Sequence, residues 1–176
     1  VQKAKGERGV PLTVNVPYGY VKDPENPKHW LVDPEAAAIV KRIFSMCMEG
    51  RGPTQIANQL WADKVLTPTA YKLSHGRSTN APAPEDPYRW DKRAVSLILE
   101  RREYTGCTVN FKTYTNSIWD KKRHLNPVEN QAIFPDTHER IIDDDVFEKV
   151  QEIRNQRHRM TRTGKSSIFS GMVYCA

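Results

Sequence analysis

The recurrence of apolar residues between Asp33 and Gly50 limits the fold of this chain more than any other stretch. Ala36, Ile39, Val40, Ile43, Phe44 and Cys47 return at the 3.6-residue helical spacing, so one helix face must be covered by other elements. Asp33 stands before the run as an N-cap, and Pro34 takes the first helical position, where its missing N–H costs nothing. Gly50 and Gly52 end the helix. The reading is a core-forming helix, with Cys47 as a small buried apolar residue.

A second helix is expected from about Thr54 to Lys64, with Ile56, Ala57 and Leu60 inward and Gln55, Asn58 and Gln59 outward. Helix, Gly-containing turn and short helix resemble the first half of a helix-turn-helix, a pattern many helical pairs share. Leu66 to Thr69 closes this unit, and residues 70 to 89 are expected to be a loop.

Within the stretch from Tyr88 to Gly106 a short third helix is expected after Asp91, its cap. Val95, Ile98 and Leu99 fall at i, i+3 and i+4 and form an inner stripe. Lys92, Arg93 and Ser96 occupy the other side, and Arg101 and Arg102 follow the helix. Such a face suits the DNA major groove, where Arg and Lys reach guanine acceptors or phosphates and Ser takes either role. A solvated charged face on an ordinary amphipathic helix has the same pattern.

The flanks are read as follows. Residues 1 to 17 lack periodicity, and Pro11 and Pro17 keep them extended. With Lys3, Lys5 and Arg8 they form a basic lead-in, or an arm lying in a minor groove. Short strands are expected around Tyr18 to Val21 and Trp30 to Val32. Cys107 to Tyr114 reads as a strand with Cys107, Val109 and Phe111 on one face and Thr108, Asn110 and Lys112 on the other. Ile118 to Asn126 is expected at a hairpin tip, and Gln131 to Phe134 as the returning strand. A last helix starts at Asp143 to Asp145 and buries Val146, Phe147, Val150 and Ile153. The basic run from Arg154 to Lys165 is a linker or a phosphate-contacting segment.

The fold class is therefore α+β, mainly helical, with a helix-turn-helix-like core and a small antiparallel hairpin or sheet. A net charge of +6 and a pI near 9.3 favour a polyanionic partner. No apolar run approaches the ~20 residues of a membrane helix. Three scattered cysteines point to a reducing, cytoplasmic setting. No active site stands out. The five histidines are dispersed, and there is neither a nucleophile elbow nor a phosphate-binding Gly loop. Asp143 to Asp145 reads as helix capping; a metal-dependent nuclease centre is the rival. No cofactor is expected. Cys175 alone cannot hold zinc, but it has the place of a first ligand in a Cys-x-x-Cys knuckle.

Taken in order, the chain resembles the recombinase domain of large serine recombinases. The resemblance is carried by Pro17-Tyr18-Gly19-Tyr20, Asp33-Pro34-Glu35-Ala36 with Ile39-Val40 and Ile43-Phe44, and Gly50-Arg51-Gly52 with Ile56-Ala57 and Leu60. Thr67-Pro68, Trp90 with Val95 and Ile98-Leu99, Tyr104-Thr105-Gly106, Ile141-Ile142-Asp143, Phe147, Val150-Gln151 and Phe169-Ser170-Gly171 before Cys175 continue it. Trp61 stands where that family usually has Asn, and Lys64 where it usually has Gly. The resemblance implies a piece of a site-specific recombinase, such as a phage integrase or mobile-element transposase. The nucleophilic serine would lie in a separate amino-terminal domain, so this stretch would not itself be the enzyme and no serine in it takes that role. Residues 1–17 would be a basic arm, 18–160 the DNA-binding domain, and 161–176 a linker entering a zinc ribbon. The partners implied are double-stranded DNA, at one half of an attachment site, and other recombinase subunits. Lys92, Arg93 and Ser96 are the candidates for base contacts. Arg51, Thr54, Gln55, Arg77, Arg89, Arg101, Arg102 and Lys112 are the candidates for phosphates. A stand-alone DNA-binding regulator is the alternative.

Overall fold

A computed structural model describes residues 2–12, 15–26, 28–79, 81–115, 119 and 122–156. The fold is α+β and mainly helical. Its helices are α1 (Gln2–Glu7), α2 (Pro34–Met48), α3 (Pro53–Ala62), α4 (Pro68–Ser74), α5 (Lys92–Glu100) and α6 (Asp144–Gln156). Three short antiparallel pairs accompany them: β1 (Tyr20–Lys22) with β2 (Trp30–Val32), β3 (Thr108–Asn110) with β6 (Ala132–Phe134), and β4 (Thr113–Tyr114) with β5 (His124–Leu125). Register sets Tyr20 opposite Val32, Val109 opposite Ile133, and Tyr114 opposite His124.

The expected apolar stripe of α2 is the centre of the core. Val40, Ile43 and Cys47 are fully buried, and α3, α5 and α6 pack around the helix. Burying each large aliphatic side chain there is worth roughly 1.5–3 kcal/mol. The two motifs built on tyrosine and glycine meet at this core. The Tyr104 hydroxyl donates to the Tyr18 carbonyl at 2.8 Å, and its ring stacks on Tyr20. Gly19 sits at φ +100°, and a Cβ there would come within 3.0 Å of Ile141 and 3.2 Å of Val40. Gly106 sits at φ +85°, where a Cβ would lie 2.8 Å from the His138 carbonyl oxygen. Both positions therefore exclude a side chain on backbone and steric grounds.

Several expectations are corrected. Residues 70–74 are not loop but most of α4, which starts at Pro68, is capped by the Thr67 hydroxyl and buries Ala70 and Tyr71. Residues 2–7 are helical rather than extended. Asp33 and Asp91 hold the N-cap positions of α2 and α5, but neither carboxylate caps its helix. The alternation left open which face of β3 is covered: Thr108 and Asn110 are inside, at 2% and 3% exposure, while Val109 is half-buried. The polar side can be buried because its groups are satisfied. Thr108 bonds the Thr137 hydroxyl at 2.7 Å. The Asn110 amide donates to the Gly6 and Val10 carbonyls at 3.1 and 2.9 Å and accepts from the Leu12 N–H at 3.2 Å. Asn110 thus fastens the amino-terminal segment to the β3–β6 pair. Phe111, at φ +59°, ends the strand, and its ring lies against Gly6.

Candidate nucleic-acid interface

Helix α5 is held from within. Val95 and Leu99 are fully buried, Ile98 is nearly so, and the helix packs on α3. The two run antiparallel. At one end the Trp90 indole donates to the Val65 carbonyl at 3.0 Å and the Lys64 ammonium lies 5.5 Å from the Tyr88 ring. At the other, Pro53 and Glu100 line one cleft. The departure at residue 61 has a use here: the Trp61 indole donates to the Asp86 carboxylate at 2.9 Å and ties α3 to the segment entering α5. The Tyr88 N–H and this indole hold the Asp86 carboxyl below its ordinary pKa.

This packing turns the first turn of α5 outward. Lys92 and Arg93 are exposed, and among the described residues neither enters an ion pair. Ser96 is half-buried on the same helix. Arg89 is exposed just before it. Leu97 was not singled out in the sequence, yet it is 44% exposed. Its position off the 95, 98, 99 stripe was the signal that could have found it.

The phosphate candidates do not form one set. Thr54 and Gln55 are exposed, but the antiparallel packing sets them at the end of α3 remote from Lys92. The Gln55 side-chain oxygen already accepts the Gly52 N–H at 2.8 Å. Arg51 pairs with Glu49 at 3.4 Å against the end of α2. Arg77 donates to Asp33 at 3.0 Å and lies over the Tyr71 ring. Lys112 is bonded at 2.5 Å to Glu103, a carboxylate only 5% exposed whose second oxygen has no partner among the described residues. Arg102 is exposed, and Arg101 is half-buried at the end of α5. Arg154 pairs with Glu100 at 2.5 Å. Arg157, Arg159, Arg162, Lys165 and Cys175 lie outside the described residues.

Asp143, Asp144 and Asp145 are exposed at the start of α6, and the Asp143 carbonyl accepts the Phe147 N–H at 3.0 Å. No group of three His, Cys, Asp or Glu suited to a metal occurs among the described residues. Cys47 and Cys107 are buried, and burial pushes the Cys107 thiol up. No helix among the described residues is long and apolar enough to cross a membrane.

The family model described as Recombinase matches residues 34–157. An uncharacterized protein of Bacillus subtilis (strain 168), YefB, is 32% identical over 87 residues, covering 49% of this chain and 29% of its own length. A solved structure described as an LSR–DNA complex shares the fold at a TM-score of 0.57 and 16% identity, over 97% of this chain and 43% of that one. A second, described by the sequence requirements of the Listeria innocua prophage attP site, aligns at 0.55 and 17% identity over 94% of this chain and 54% of that one. The chain thus spans less than a third of that Bacillus relative and about half of the second structure.

Proposed function

The chain belongs to the recombinase family, and from that premise we propose that it binds double-stranded DNA, recognises one half of an attachment site and positions a separate serine-bearing domain for strand exchange. The carrying observation is the first turn of α5, anchored from behind by Val95, Ile98 and Leu99 and open at Lys92 and Arg93. In this reading α2, α3 and α5 act as a helix-turn-helix-like unit and α5 enters the major groove. Lys92, Arg93 and Ser96 face base edges, and Leu97 offers an apolar contact to a thymine methyl. Arg89 and Arg102 are the exposed arginines among the candidates for phosphates. The description of one solved relative of this fold as a DNA complex supports the reading. Mobile-element origin, a zinc ribbon after residue 160 and partner recombinase subunits belong to the same proposal.

Binding-site selection with the 176-residue chain, read at two salt concentrations, tests it. A defined half-site sequence is expected. Arg93→Ala should weaken binding to that site by roughly 1–3 kcal/mol and relax the preference at one or two base pairs. Unchanged affinity and preference in Arg93→Ala would remove Arg93 from base recognition.

A further inference from the structure

We propose that the cleft between β1, α4 and residues 15–16 is a clamp for a DNA backbone phosphate, formed by Lys22, Lys72 and Arg77, on the strand flanking the groove that α5 occupies. This rests on the reading of α5 as the groove-facing helix. The cleft measures about 430 Å³, and Asn15, Val16 and Ser78 help to line it. Among the described residues no carboxylate does.

Each cation is placed for an anion. Asp33, its side chain 10% exposed, takes one Arg77 nitrogen at 3.0 Å, and the Tyr71 ring lies under the guanidinium, so the group is oriented before any ligand arrives. A guanidinium so fixed suits phosphate recognition. The Lys72 ammonium donates one hydrogen to the Val16 carbonyl at 3.3 Å and retains two for a ligand. Lys22, at the end of β1, is exposed.

The local charge favours an anion in the cleft. Burial holds the Lys72 ammonium below the ordinary lysine pKa, and repulsion from Arg101 and Arg77 adds to the shift. Lys72, Arg77 and Arg101 therefore lie close together, and among the described residues Asp33 is the one carboxylate paired with any of them. A phosphate bound in the cleft would relieve that repulsion. Arg101, which follows the last residue of α5, does not line the cleft but is near enough to repel Lys72, which sets the cleft on the side of that helix end. A nine-residue helix is about 14 Å long, and the major groove is about 12 Å wide. With Lys92 over base edges, the far end of the helix reaches the backbone bordering the groove.

The test is the salt dependence of binding to a random-sequence duplex by the 176-residue chain, followed by fluorescence anisotropy. Lys72→Gln keeps a donor for the Val16 carbonyl and removes the charge. It should lower the slope of log K against log salt by roughly 0.9, and Lys22→Gln with Lys72→Gln by up to about twice that. Lys72→Arg should keep the wild-type slope. Lys22→Gln alone is an exposed change that tests the cleft even where Lys72→Gln lowers the melting temperature. Unchanged slopes in Lys22→Gln and in a folded Lys72→Gln overturn the clamp and leave α5 untouched. An equal fall in Lys149→Gln, on exposed α6 surface, also overturns it, because the effect would then be bulk charge. A wild-type chain that binds no duplex at all overturns the proposed function, and the clamp with it.

Discussion

Lys64 follows α3 at φ +54°, a backbone conformation that L-residues enter at a cost of roughly 1–2 kcal/mol. Its ammonium recovers part of this over the Tyr88 ring, an exposed cation–π contact worth about 0.5–1 kcal/mol. The backbone term is the larger. Lys64→Gly should therefore raise stability by up to about 1 kcal/mol, read as a shift in the urea midpoint at constant m-value. A loss of stability would mean that the Tyr88 contact outweighs the backbone strain. Residue 64 is where the resemblance predicts glycine, and the left-handed backbone explains why. The same reasoning covers Gly19 and Gly106, whose motifs were visible as letters before their close approaches to Val40, Ile141 and His138 were known.

Among the elements, the amino-terminal segment depends on one side chain. Asn110 supplies three hydrogen bonds to residues 6, 10 and 12. Asn110→Ala should cost about 1–3 kcal/mol, since the backbone groups it serves lose their partner. Amide exchange of residues 6–12 should accelerate while α2 stays protected; uniform protection in the variant would show that other contacts hold the segment. Nothing in the alternation of residues 107–112 foretold this, because period two assigns two faces without saying which is covered. Helices α2, α3, α5 and α6 were legible because each carries its own apolar stripe. Helix α4 was not: it has seven residues, and Tyr71 earns its burial through Asp33, Glu35 and Tyr18, all distant in sequence. An acid before Pro34 suits a helix cap, but the Asp33 carboxylate serves Tyr71 and Arg77 instead. The candidate site was legible in the same uneven way. The exposed face of α5 followed from its periodicity, whereas the engagement of Arg77 and Lys112 depends on partners that local pattern does not name.

The whole molecule carries a pH dependence through His138. Its Nε2 lies 2.8 Å from the Glu103 carbonyl, which can only accept, so that nitrogen bears the proton and Nδ1 faces the Thr137 hydroxyl at 3.0 Å. The ring is enclosed by Tyr20 and Trp30, and burial lowers its pKa below 6.5. The unfolded chain then binds more protons than the folded one as pH falls below about 6.5. Stability should be level above about pH 7.5 and decline between about 6.5 and 5, before most carboxylates titrate. Urea midpoints across that range check this, and a midpoint that rises on acidification would contradict the burial of a neutral ring. The antiparallel seating of α5 on α3 has a further consequence. Since Val95, Ile98 and Leu99 do the anchoring, a library randomised at 92, 93, 96 and 97 would leave the supporting architecture intact, and under the proposed reading of α5 it should shift target preference.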